Sequence, residues 1–184
     1  MKIIGFVGYN GERRKANGEW EMVLKGDSCL LNNRKPFFTP EGATTIGVTP
    51  CIVLRVSRLG KGIAKKFAER YYDAIAPGVD FADLTLLREA QEQGKPWTEA
   101  IGFDYSLAIG KWAKAYPLPL PEGKGEQEWL LSPEEAIAQA SKIMTIRQGD
   151  LIYIQKRQAP RPVQREEILR VEKDGEEQLY CKIK

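Results

Sequence analysis

The stretch "CIVLRVSRLGKGI" constrains the fold more than any other part of the chain. It is rich in β-branched and aliphatic residues and closed by two glycines, the pattern of a strand. Upstream it continues as "GVTP", so Thr49 and Cys51 fall on one face of the same strand. Other segments read the same way: "MKIIGFVGYN", "EWEMVLKGDSCLL" with a turn at Gly26-Asp27, "YSLAIGKWAKAY", and "DLIYI". "EILRVEK" and "QLYCKIK" flank Asp174-Gly175, a hairpin turn pair. Helical spacing of Ile63, Phe67, Tyr71, Ala74 and Ile75 predicts a helix stopped at Pro77-Gly78, after which "VDF" is extended. "LTLLREAQEQGKPW" predicts a short helix ending at Gly94. "SPEEAIAQASKIM" predicts another, with Ser132 at the N-cap, Pro133 at the first position and Glu135 completing a capping box. "NNRKPFFTPEGATT" and "PLPLPEGKGEQEW" read as loops, the second open to being a lost hairpin. The sum is α+β, strand-heavy, with a few packing helices. At 184 residues it is one domain, 1–184.

Histidine is absent. That removes the usual general base near neutral pH, the commonest transition-metal ligand and every Ser-His or Cys-His nucleophile pair. Cys29, Cys51 and Cys181 are odd in number and lack C-x-x-C spacing, as expected of reduced thiols in a cytoplasmic protein. No apolar run reaches the roughly 18 residues needed to span a membrane, and "MKIIGFVGYN" is too short for a signal peptide. Net charge is +3, with cations and acids interleaved in "AKKFAER" and "QKRQAPRPVQREE". Interleaving predicts a solvated mixed surface rather than a nucleic-acid footprint, and the expected partners include neither a nucleic acid nor a membrane. Phe103, Tyr105 and Trp112 read as core and strand packing.

In order along the chain, "DSCLLNNRKPFF", "VLRVSRLGKGIAKKFAERYYD", "GVDF", "GKPW", "GFDYSLAIGKW" and "ASKIMTIRQGDLIYI" resemble the fumarylacetoacetate hydrolase family, in its compact single-domain form. The resemblance covers about Asp27 to Ile154 and is less specific beyond. It implies a mixed β-roll, usually a homodimer, and Mg²⁺- or Mn²⁺-dependent hydrolysis, decarboxylation or isomerisation of oxo acids such as acylpyruvates. Members of that family hold a divalent ion with a Glu-x-Glu strand and an aspartate, a set of anionic oxygens suited to a hard cation.

Set against that pattern, Asp80 in "GVDF" is the one ligand position kept, while Thr49 and Cys51 occupy the two glutamate positions. A hydroxyl and a soft thiol do not replace carboxylates for Mg²⁺. Leu84 and Leu87 stand where the family has an arginine and a glutamine near the substrate, and Ile101 stands where it has a lysine. Gln155-Lys156-Arg157 replaces a Gly-Thr-Pro turn that meets the substrate carboxylate. The expectation is a catalytically silent binding or interaction protein, a homodimer or partner of an active relative, with no cofactor. Mg or Mn would bind only if the site still works, as in the alternative of a metal-dependent oxo-acid enzyme with a remodelled site. Lys156 or Arg157 is expected to turn into the old site, pairing with Asp80 or, with Arg161, binding an anion. Leu84, Leu87 and Ile101 are expected to refill the cavity. Cys51 reads as a small buried thiol, and Asp83 and Glu89 as the solvated face of a short helix.

Overall fold

Two long strands organise the computed structural model, which describes residues 1–8, 20–114 and 129–184. They are β4 (Ile46–Val56) and β5 (Tyr72–Asp83), paired antiparallel from Ile46↔Asp83 to Val56↔Tyr72. Around them stand β1 (Ile3–Val7), β2 (Glu21–Lys25), β3 (Leu30–Asn32), β6 (Leu107–Ile109) and β8 (Leu151–Gln155), in the order β2-β1-β8-β4-β5-β6-β3. Two short strands extend the sheet: β7 (Ala113–Lys114) beside β5 and β9 (Arg161–Pro162) beside β4. The sheet is mixed, since β1 pairs β8 and β3 pairs β6 in parallel while the other neighbours are antiparallel. A separate hairpin of β10 (Ile168–Lys173) and β11 (Glu176–Lys182) turns through Asp174 and Gly175. Both have positive φ, at 52° and 77°, as a tight primed turn requires. This is the expected α+β mixed sheet. The loop "PLPLPEGKGEQEW", apart from Trp129, lies outside the described residues.

The helix expected from Ile63 to Ile75 does not form. A 3-10 helix covers Lys65–Tyr71 and the chain then enters β5 directly, with Ala74, Ile75, Pro77 and Gly78 inside the strand. The reason is tertiary. Extended backbone from Tyr72 onward pairs along the whole of β4, and that continuous ladder outweighs a local apolar spacing. Gly78 is tolerated because it lies opposite Cys51, whose Sγ would stand 2.8 Å from any added Cβ. Helix α1 (Leu84–Gln93) starts on Asp83, whose carboxylate accepts from the backbone N–H groups of Thr85 (2.9 Å) and Leu86 (3.1 Å). Asp83 is therefore a buried N-cap rather than part of a solvated acidic face, while Glu89 is exposed. The helix ends at Gly94 in the left-handed conformation (φ 65°). A single turn, α2 (Thr98–Ile101), follows. Helix α3 (Pro133–Ile143) has the expected capping box, with Ser132 and Glu135 each bonding the other's backbone N–H.

Alternation along β4 divides the interior. Ile52, Leu54 and Val56 face the layer of α3, packed with Ile4, Ile137 and Ile152. Cys51 and Val53 face the opposite way, among Ala76, Leu87, Ile101 and Tyr153. Phe37 stacks on Phe81, with ring centroids 4.0 Å apart, where the β10–β11 hairpin closes a third cluster. Of the three aromatics expected in packing, Phe103 is partly buried there, but Tyr105 and Trp112 are 50% and 39% exposed.

The buried ring of Tyr153 occupies the space a side chain would need at Gly5. Gly5→Ala should therefore cost about 1–3 kcal/mol by overpacking. A lower urea midpoint with an unchanged slope is the expected readout; an unchanged midpoint would show that the ring can move aside.

Candidate functional site

The β4–β5 register carries Thr49 directly against Asp80 and Cys51 against Gly78. All three side chains of interest are buried: Thr49 and Asp80 are each 1% exposed and Cys51 is 2% exposed. The fold thus brings together the three positions singled out in the sequence. An isolated buried carboxylate is costly, so Asp80 needs a counter-charge or donors.

The counter-charge is Lys25, the last residue of β2. Its Nζ lies 2.6 Å from Asp80 Oδ1, and both side chains are fully buried. Two further bonds run from the same ammonium to the Ser106 carbonyl and the Ser106 Oγ, each 3.0 Å. An ammonium has three N–H donors, so all are used. Ser106 Oγ in turn donates to the Ile101 carbonyl at 2.8 Å. On the other side, Gln155 Nε2 donates to Asp80 Oδ2 at 2.7 Å while its Oε1 accepts from the Gly8 N–H at 2.9 Å. Both carboxylate oxygens are thereby bonded to N–H donors. Lys25 Nζ also lies 5.8 Å from the centre of the Tyr153 ring.

Thr49 Oγ1 is buried with no hydrogen-bond partner among the described residues. Burial pushes the Cys51 thiol well above its ordinary range, and the negative charge of Asp80 pushes it further, against an opposing pull from Lys25. Cys51 stays protonated and is a poor nucleophile and a poor ligand. Burial likewise raises Cys181, to about 11.

The cation on Asp80 was expected to be Lys156 or Arg157, and the structure places Lys25 there instead. Lys156 Nζ stands 5.6 Å from the centre of the Trp129 ring, and Arg157 donates to the Trp129 and Leu130 carbonyls at 3.3 Å. Both residues follow the end of β8, where the isolated Trp129↔Lys156 bridge draws the chain toward Trp129. Arg161 is paired with Glu167 at 2.6 Å. Leu87 and Ile101 are buried beside the site, with Leu84 packed against the same cluster. Lys25 was missed in the sequence because nothing local marks it. It follows Glu21 and Val23 on one face of an edge strand, where a terminal lysine ordinarily reaches solvent.

Neither a family model nor a curated protein matches the sequence. Solved structures do match the fold. A candidate fumarylpyruvate hydrolase from Burkholderia cenocepacia is 17% identical with a TM-score of 0.84, the match covering 100% of this chain and 88% of that one. Fumarylpyruvate hydrolase from Pseudomonas aeruginosa, solved with Mn²⁺ and pyruvate, is 18% identical with a TM-score of 0.80, covering 99% and 88%. The 5-carboxymethyl-2-hydroxymuconate delta-isomerase of Mycobacterium smegmatis is 17% identical with a TM-score of 0.75, covering 99% and 78%. This chain has the fold of fumarylacetoacetate hydrolase family proteins, a fold shared by hydrolases and isomerases.

The described residues do not fit the divalent ion that this fold implies. A hard cation needs several anionic oxygens. Among the described residues Asp80 is the one carboxylate at these positions, both its oxygens are bonded, and its neighbours there are an ammonium, a hydroxyl and a protonated thiol. No cluster of three or more His, Cys, Asp or Glu able to hold a metal occurs among the described residues.

Two outcomes follow from this geometry. Lys25→Met and Asp80→Leu should each destabilise the fold by about 3–5 kcal/mol, because each strands a buried charge. The double variant should lose less than the sum of the singles; full additivity in a denaturation cycle would mean the pair is not coupled. Native Cys51 and Cys181 should resist iodoacetamide at pH 8 and alkylate only in denaturant, as read by mass spectrometry. Native labelling of Cys51 at the rate of a free thiol would show that the site opens to solvent.

Proposed function

We propose that this chain is a non-catalytic binding or interaction protein built on a fold otherwise used by metal-dependent oxo-acid enzymes. One observation carries the reading: Lys25 and Gln155 occupy both oxygens of Asp80, the carboxylate that would have to serve a metal. Losing the metal removes the polarising centre on which oxo-acid hydrolysis, decarboxylation and isomerisation depend in such sites. Among the described residues the nearby groups supply no substitute. Cys51 is held protonated, and Lys25 has no donor left for a substrate oxygen. A homodimer, or a complex with an active protein of the same fold, is the assembly in which such a chain would act.

Calorimetric titration of the chelator-treated protein with Mg²⁺ and Mn²⁺ separates this reading from a remodelled enzyme. The expected result is no saturable heat. Saturable binding that Asp80→Asn abolishes, together with acylpyruvate turnover sensitive to EDTA, would replace the proposal with the enzymatic one.

A further inference from the structure

The segment from Arg58 to Tyr71 leaves the end of β4 and runs back along helix α3. Four contacts fix its course. The Gly62 and Ile63 N–H groups donate to the Ser141 carbonyl (2.8 Å) and Ser141 Oγ (2.9 Å), Lys61 Nζ reaches the Ile143 carbonyl at 2.6 Å, and Lys65 pairs with Glu135 at 2.8 Å. From Glu135 to Ile143 the helix rises about 12 Å, so segment and helix form one elongated strip. Its cations are Arg58, Lys61, Lys65, Lys66, Arg70 and Lys142, and its acids are Glu69, Glu134 and Glu135. That is a net +3, equal to the formal charge of the whole chain, so the remaining residues sum to zero.

In sequence the acids of this region interleave with the cations and suggest a balanced solvated surface. In the fold Glu135 pairs with Lys65 and Glu134 accepts from the Tyr72 hydroxyl at 2.8 Å, and the strip keeps its net +3. Large apolar side chains stand out along the same strip. Leu59 is 69% exposed, Ile143 65% and Phe67 42%, and Phe67 is flanked by Lys66 (4.9 Å) and Arg70 (5.2 Å) over its ring. Exposed cations beside protruding Leu, Ile and Phe match the chemistry of an anionic lipid interface: headgroups attract the cations, and the apolar tips enter the boundary below them. Nucleic acid would use the cations but give Leu59 and Ile143 nothing to bury against.

We propose that this strip docks the protein on an anionic lipid surface. The inference is independent of whether the buried site binds a metal. Co-sedimentation with phosphatidylcholine vesicles, with and without about one third phosphatidylserine, tests it. The protein should pellet with the anionic vesicles at low salt, not with phosphatidylcholine alone, and be released by high salt. Arg58→Glu with Lys66→Glu, both exposed, should weaken binding roughly tenfold or more, with Lys142→Glu as the substitute should that pair fail to fold. Leu59→Ser with Ile143→Ser should weaken it at constant charge. Absence of binding to anionic vesicles at low salt overturns the proposal, and so does binding indifferent to the Leu59 and Ile143 changes. Tighter retention on single-stranded RNA than on vesicles, unaffected by those two changes, would reassign the strip to nucleic acid.

Discussion

The antiparallel ladder between β4 and β5 is the constraint on which the site depends. Side chains alternate along a strand, so fixing Ile46 against Asp83 fixes every later pair and sets Thr49 against Asp80. A slip of one residue would turn Asp80 toward the other face. The apolar sets on the two faces of β4 hold the register, Ile52 and Leu54 packing with α3, Cys51 and Val53 on the other side. Asp83 ends the ladder and caps α1, tying the strand's length to the start of the helix that covers the site.

Given that ladder, Asp80 must be neutralised in place, and the solution comes from three distant parts of the chain. Lys25 arrives from an edge strand, Ser106 from the turn before β6 and Gln155 from the end of β8. Each group is used by more than one neighbour: Lys25 fills its three donors, and Gln155 donates to Asp80 while accepting from Gly8. A buried polar network is favourable when its members are satisfied and costly when one is left unpaired. Thr49 Oγ1 is the atom that this network leaves out among the described residues. A neutral hydroxyl facing the Lys25–Asp80 ion pair without joining it contributes nothing to charge balance.

What was legible in the sequence follows the range of the interactions involved. The capping box at Ser132, the Gly94 stop and the Asp174-Gly175 turn are written in residues a few places apart, and all are present. The placement of Thr49 opposite Asp80, with Cys51 two residues along opposite Gly78, is reached through motif order. The helix expected at Ile63 fails because its spacing is local while the competing partner, β4, is a separate strand whose register no local window contains. Lys25 fails for the same reason in a sharper form, since its burial depends on residues 55 and 81 places away.

An internal ammonium and a bound metal ion differ in what they leave open around a buried carboxylate. A divalent ion binds reversibly and leaves open coordination positions for a substrate, whereas a lysine is covalently present and its three donors are filled from within. The site therefore becomes a fixed part of the core, contributing cohesion rather than affinity. The surface, by contrast, carries its formal charge unevenly. Its whole formal net charge lies on the strip formed by Arg58–Tyr71 and α3, while the rest of the molecule is balanced.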